Sequence, residues 1–495
     1  VSFSFAKGRK RKAAALTASP LILVTGATGY IASRLIPRLL ERGYRVRALA
    51  RQPWRLRGRA WFRHVEVAPG DVMVPSTLAA AMEGIHTAYY LIHNMSSGRG
   101  YTEKELDGAR NFTAAAEAAG LDHIIYLGGL ADPQAHIAAH MRSRIETGQV
   151  LREGRVPVTE FRAGVIVGPG SISFEMIRFM TELLPLVPGP TWMRNKSQPI
   201  AAQNVLDYLL AALDDPAGRG GVFEIGGPDL LVYSQLMLEY ARLRGHKRHM
   251  ILLPYIPLWF MAFGVGLTTP VPQRIAYALI DGLRSDSRVQ EPTAQQVFPS
   301  VNLLPFQQAV QDSLAQLHPN HLEPVWTDGR RPVVNLKHEG FFINHRSMHV
   351  NARPEAVWRV IHSLGGDHGW LYADFLWKLR GWLDSFLRPP KTSRSLPLRG
   401  SNLQTGDILD FYRVEGVGPA RLLMRDEMRV PGDSWMEWQV LPDGDGTHLT
   451  QTGYFAPRGL PGFLYWNLLY PVHEFVFRGL FAEIARRAAR GTILP

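Results

Sequence analysis

The 495-residue chain reads as α/β: a doubly wound parallel sheet with helices on both faces and a helical substrate segment, followed by a smaller α+β unit. Three observations predict this. Four apolar residues, Leu21 to Val24, run into a glycine turn and then into a stretch of helical period. Short apolar runs and helical patterns alternate from there to Gly227, as successive βα units require. Beyond residue 342 the pattern changes to the in-and-out alternation of antiparallel strands.

The first unit is organised around LILVTGATGYIA, Leu21 to Ala32. Glycine at 26 and 29 lets the strand turn tightly into a helix, and lets a pyrophosphate approach backbone N–H groups at the helix's positive end. This is the pattern of a dinucleotide site, with Thr25, Gly26, Thr28, Gly29, Tyr30 and Ile31 as its contacts; the alternative is a structural βα turn. Ile31 to Leu40 form the helix and Gly43 closes it. The second strand, Tyr44 to Ala50, ends on Arg51 with Arg55 nearby. An acidic residue there would hold ribose hydroxyls, whereas arginine suits a 2′-phosphate, so NADP(H) is preferred and NAD(H) is the alternative. A solvated surface arginine is the rival reading of Arg51.

A helix from Pro75 to Met82 and a strand from Thr87 to Ile92 follow. His93, Asn94 and Met95 then lie at the strand's carboxyl end, where ligands of open parallel sheets sit. Glu103 to Ala119 forms a crossover helix, Ile124 to Leu127 the fifth strand, and Thr159 to Val167 the sixth. Ile251 to Val271 is the most apolar stretch. Prolines 254, 257 and 270 and glycines 264 and 266 leave about ten residues for one uninterrupted helix. It reads as a buried helix lining a greasy cleft, with interfacial insertion as the rival. IAYALIDGLRSDSRV reads as a helix running into a strand, and FQQAVQDSLAQL as a closing helix. The first unit is therefore 21–317, with a proline- and glycine-rich linker at 318–342 and a second unit at 343–490.

The G-x-x-G-x-x-A spacing, with FRAGVIVGPGS and QPIAAQNVL, resembles the atypical branch of the short-chain dehydrogenase/reductases, NmrA-like proteins among them. More particularly it resembles bacterial proteins that fuse this Rossmann-type domain to a domain of unknown function, DUF2867. The resemblance runs from Leu21 to about Leu480 and implies an NADP(H)-dependent oxidoreductase acting on a hydrophobic small molecule. By resemblance Asp71 accepts from the adenine amino group with Val72 beside it; capping a turn is its other reading. The family's carbonyl-polarising serine is replaced by Gly128 and Gly129, and its Tyr-x-x-x-Lys pair by His140 and Arg144. His140 then stands as acid/base or as an exposed helix histidine, with Arg144 on the ribose and lowering the imidazolium pKa. His93 is the other candidate proton donor. Arg162, Ser171, Ser173, Arg178 and Trp192 would face the substrate cleft or be structural. The missing residues keep open a non-catalytic NADP(H)-binding scaffold or sensor, and a lipid or quinone carrier built on the second unit.

That second unit has a strand RSMHVNA, the helix PEAVWRVIHSLG, the tryptophan-dense GWLYADFLWKLRGWLDSFL, four strands and a long last helix. This order resembles the START-like helix-grip fold, whose cavities take hydrophobic ligands. The strands are DILDFYRVEGV, RLLMRDEMRV, SWMEWQVLP and HLTQTGYFAP, and their alternating charges read as cross-strand ion pairs. His473, Glu474 and Arg478 make Phe463 to Phe481 too polar for an ordinary transmembrane helix.

Net charge is +12, but no basic stripe with interleaved aromatics occurs, so nucleic acid is not read as a partner. Peripheral contact with lipid remains compatible. There is no cysteine, and His136 and His140 have no neighbouring carboxylate, so no metal site is read. Residues 1–20 read as a flexible basic leader, and the location as cytoplasmic or at a membrane's periphery.

Overall fold

Strand β1 (Leu21–Val24) is buried at every residue, as a strand flanked on both faces by helices must be. In the computed structural model, which describes residues 19–57, 59–93, 100–132, 137–269, 271–322, 333–338, 340–365, 369–387 and 403–491, the chain divides into two compact units between residues 326 and 327, with Glu182–Leu184 grouped with the second.

In the first unit α1 (Tyr30–Glu41), β2 (Arg45–Ala50), β3 (Glu66–Pro69), α2 (Ser76–Met82), β4 (Ile85–Tyr90), α3 (Tyr101–Ala118), β5 (His123–Gly129), α4 (Ala139–Arg152) and β6 (Val158–Ala163) follow in order. After them come β7 (Ile166–Val167), α5 (Ile172–Leu183), β8 (Leu186–Pro190), β9 (Lys196–Ser197), β10 (Ile200–Ala201), α6 (Ala202–Asp214) and β11 (Val222–Ile225). The main sheet has the order β11-β6-β5-β4-β1-β2-β3, and every pair in it is parallel. Strand order reverses about β1, which opens a crevice beyond the carboxyl ends of β1 and β4. Alternate residues of β1 feed two cores. Ile22 and Val24 pack with Leu35, Ile36 and Leu39 of α1, while Leu21 and Leu23 pack with Leu78 of α2 and Phe112 of α3.

The rest of this unit is β12 (Leu231–Val232), α7 (Tyr233–Leu243), β13 (His249–Leu253), α8 (Leu258–Thr268), α9 (Gln273–Gly282), α10 (Thr293–Val297) and α11 (Phe306–Ala315). Two expected strands differ. The sixth is cut at Gly164, where a side chain would lie 2.4 Å from Ser287 Oγ, and Ile166–Val167 pairs instead with β10. The strand expected after α9 is a single bridge at Ser287, whose N–H donates to Lys196 O and whose C=O accepts from Gln198 N–H, both at 2.8 Å. The apolar 251–271 stretch is not a buried helix. It divides into β13 and α8, and α8 buries Ala262 and Val265 while Trp259, Phe260, Phe263 and Leu267 are exposed. Among the described residues no helix is long and apolar enough to cross a membrane.

The second unit contains β14 (Val333–His338), β15 (Phe341–Val350), α12 (Pro354–His362), α13 (Asp374–Leu387), β16 (Ile408–Leu409), β17 (Tyr412–Gly418), β18 (Arg421–Asp426), β19 (Gly432–Asp443), β20 (Gly446–Pro457) and α14 (Gly459–Arg490). Its antiparallel sheet runs β14-β15-β20-β19-β18-β17-β16. Val476, Leu480, Phe481 and Ile484 of α14 share one core with Trp438 and Leu449 of the sheet and Val357 of α12. The first of the four expected strands is broken at Asp410, which takes φ +52° and accepts a hydrogen bond from Trp370 Nε1 at 2.9 Å. Charges pair across strands, Arg413 with Glu427 and Arg421 with Glu437.

Candidate functional site

The crevice beyond β1 begins with a loop that needs glycine. Gly26 has φ +63°, and a Cβ on it would lie 2.6 Å from the carbonyl oxygen of Leu91. Thr25 holds that contact in place. Its N–H donates to Tyr89 O, its Oγ1 donates to the same oxygen, and Leu91 N–H donates to Oγ1, each at 3.0 Å. Thr25 is fully buried, so it shapes the loop through β4 and presents no hydroxyl to a ligand. Thr28 and Gly29 are exposed, and Tyr30 and Ile31 half-buried, at the start of α1. That helix has no side-chain cap and no acidic residue in its first turn. Its N–H groups and positive end therefore fit a pyrophosphate.

Arg51 is exposed one residue past β2, with Arg55 exposed in the short 3₁₀ turn after it. Neither makes an ion pair among the described residues, which leaves both guanidinium groups available to a phosphate. Asp71 Oδ1 accepts from Met73 N–H at 3.0 Å, the turn-capping arrangement, and its second oxygen is not used by that turn. Val72 is buried, with its carbonyl accepting from Asn111 Nδ2 at 2.9 Å.

A cavity of about 490 Å³ opens from Gly29, Tyr30 and Ile31 and brings in His93, His140 and Arg144. Its walls are mainly apolar, with Leu127, Ile177, Met180 and Met237 joined by Met261 and Val265 of α8. Ser171, Ser173 and Trp192 also line it. Arg162 and Arg178 do not. Arg162 Nε is 2.7 Å from the buried carboxylate of Glu160, and Arg178, 1% exposed, lies 3.6 Å from Glu175, so both are structural ion pairs. Asn94, Met95 and His136 lie outside the described residues, among which no cluster of three metal-ligating side chains occurs.

His140 is 5% exposed and is not a surface histidine. It sits in the first turn of α4, against Gly282, where a Cβ would come within 2.7 Å of its Cε1. Burial, and then the charge of Arg144, lower its pKa to about 3. The same two causes push His93 well below the usual histidine value. Both imidazoles are neutral at pH 7, and Arg144 is the cation of the cavity. His140 Nδ1 and Arg144 Nε have no hydrogen-bond partner, so buried polar atoms here await one. A Cβ on Gly129 would lie 2.7 Å from Met141 Cε and 3.1 Å from Arg144 Cδ. The side chains of Met141 and Arg144 on α4 thus border the space of a side chain at 129 and would have to shift to admit one.

Ser287 and Tyr233 also line the cavity and give no signal in the sequence, because the first arrives on an isolated bridge and the second at the start of a distant helix. His123, lowered to about 4 mainly by burial, adds to a common pH behaviour with His140. Unfolded histidines take up protons near pH 6.5 while these stay neutral until pH 3–4. Their contribution is complete above pH 6.5 and is lost as pH falls toward those values, at up to about 1.4 kcal/mol per pH unit for each. The urea midpoint should drop between pH 7 and 5, and His123→Gln should flatten that slope. A level midpoint would contradict the assignment.

The comparisons bear on this geometry. Residues 26–153 match the family model described as NAD(P)H-binding, and residues 339–480 match the protein family of unknown function DUF2867. The chain is 28% identical over 297 residues to (4-alkanoyl-5-oxo-2,5-dihydrofuran-3-yl)methyl phosphate reductase of Streptomyces griseus subsp. griseus, covering 57% of this chain and 92% of that protein. It is 26% identical over 254 residues to ceramide reductase of Caulobacter vibrioides, covering 48% and 75%. A solved triphenylmethane reductase of Citrobacter sp. superposes with a TM-score of 0.49 at 19% identity, over 59% of this chain and 99% of that one. The chain thus joins an NAD(P)H-binding domain, matched over residues 26–153, to a DUF2867 domain, matched over residues 339–480.

Proposed function

We propose that the protein is an oxidoreductase that uses NADP(H) in preference to NAD(H) and acts on a hydrophobic small molecule. The observation carrying this is the apolar cavity that runs from the open N-terminus of α1 to His140 and Arg144. Similarity to two proteins named as reductases, one of them for ceramide, supports an apolar substrate. The nicotinamide coenzyme supplies or accepts the hydride when bound. The chain's own residues orient and shield: the methionine and leucine walls limit the number of waters inside, which strengthens charge interactions there. Arg144 stabilises negative charge on a substrate oxygen, and neutral His140 offers a hydrogen bond to it, with the proton coming from water. NADPH oxidation measured across aldehyde, quinone and isoprenoid panels tests this, and no oxidation with any of them would overturn it.

A non-catalytic coenzyme-holding scaffold is the second reading, favoured by the space at Gly129 being bordered by Met141 and Arg144. It predicts retained NADPH without oxidation of any panel member. Coenzyme preference has its own test. Arg51→Ala should weaken NADPH binding roughly tenfold, the scale of one charge-assisted phosphate contact, and leave NADH binding unchanged. Equal loss for both nucleotides would remove Arg51 from the 2′-phosphate.

The outer face of α8 supports peripheral contact with anionic lipid. Trp259, Phe260, Phe263 and Leu267 are each more than half exposed there, and residues 241–280 include Lys247, Arg248 and Arg274 but no acidic residue. The double variant Trp259→Ser, Phe263→Ser should lower partition onto phosphatidylglycerol vesicles by roughly tenfold or more. Unchanged sedimentation with vesicles would exclude this face.

A further inference from the structure

The second unit encloses a cavity of about 310 Å³ between its sheet and helices α13 and α14. Four lining side chains have buried polar atoms with no hydrogen-bond partner: Arg346 Nε, Trp377 Nε1, Gln451 Oε1 and His473 Nδ1. Arg346 and Gln451 are 2% and 1% exposed. An unsatisfied buried group costs about 1–3 kcal/mol, so four around one space point to a ligand that completes them. Two of the four atoms are fixed donors, and the histidine ring supplies a donor or an acceptor according to its tautomer.

The walls are aromatic. Trp466 stacks on Phe455 with centroids 5.4 Å apart and planes 9° apart, and on its other neighbour Phe342 at 5.7 Å and 22°. Charge is placed unevenly. Arg346 is matched by Glu474 at 2.5 Å, whereas Arg380 has no carboxylate within ion-pair distance among the described residues and lies over the Tyr465 ring at 5.7 Å. Asp426 also lines the cavity, its Oδ1 accepting from Met428 N–H at 2.8 Å. Arg380 and Arg346 both hold the His473 imidazolium unfavourable after burial does so, which places the three basic groups in one region.

We propose that this cavity binds a flat, mainly apolar acid, with its ring or polyene body against Trp377, Trp435 and Trp466 and its carboxylate on Arg380 and Arg346. Such a ligand satisfies the donors, meets the unmatched cation and stacks on the walls. The site is separate from the coenzyme cavity and does not depend on its assignment.

Fluorescence titration of the full chain with 1-pyrenebutyrate and with its methyl ester tests the proposal. The acid should bind at least about tenfold more tightly than the ester, the scale of one charge-assisted contact. Arg380→Gln, on a half-buried position, should remove that difference by weakening the acid and leaving the ester unchanged. Met261→Trp, which narrows the first unit's cavity, should leave acid binding unchanged. Equal affinity for acid and ester, an unaltered acid affinity in Arg380→Gln, or loss of binding in Met261→Trp would each overturn it. Near-ultraviolet circular dichroism of each variant shows that the fold is kept.

Discussion

Gly26→Ala should weaken NADPH binding roughly 100-fold while leaving the far-ultraviolet spectrum intact. The left-handed backbone at 26 costs an L-residue about 1–2 kcal/mol by itself. The larger effect is the 2.6 Å approach of a Cβ to Leu91 O. Leu91 has little freedom to withdraw, because its N–H is tied to Thr25 Oγ1. The loop must therefore move, and with it the N–H groups that face a pyrophosphate. A loss of roughly 100-fold is expected from strain of this kind. Isothermal titration with NADPH checks it, and full affinity in the variant would show that this turn does not hold the nucleotide.

Arg144→Leu should reduce any turnover found in the substrate panel by roughly 100-fold, the scale of losing one preorganised charge. His140→Phe should cost roughly tenfold, less than loss of a general acid, because the imidazole is already neutral at working pH. For the same reason the rate should show no titration assignable to His140 between pH 5 and 8. The profile needs measurement on wild type and on His140→Phe. A wild-type inflection in that range that vanishes in the variant would show that the ring does exchange protons. Turnover surviving the double replacement would move the chemistry elsewhere in the cavity.

What the sequence makes legible follows the range of the forces involved. The turn at Gly26 is set within a few residues by backbone geometry, and the burial of Leu21 to Val24 by neighbours of the same unit. The in-and-out period of the second sheet is equally local. The breaks at Gly164 and Asp410 are not, since each exists because a distant group arrives: Ser287 against the glycine, Trp370 on the aspartate. Arg162 and Arg178 show the same limit for charge. An arginine near a cleft has the composition of a ligand contact, and what directs it away is a glutamate two or three residues earlier in the chain, whose burial the local pattern does not show. The apolar run around α8 gives its hydrophobicity openly, but whether one face or both are covered depends on α9 and the cavity, which no local pattern encodes.

The crowding at Gly129 sets a rule for how this chain can vary. Met141 and Arg144 border the volume in which a side chain at 129 would stand, so a hydroxyl there requires these two flexible side chains to shift. Gly129→Ser alone displaces the end of Met141, and Met141→Ala alone leaves a hole, whereas the pair together exchanges one volume for the other. Residue 129 on the strand and residue 141 on the helix that follows it are therefore coupled, and the cost of changing one depends on what stands at the other.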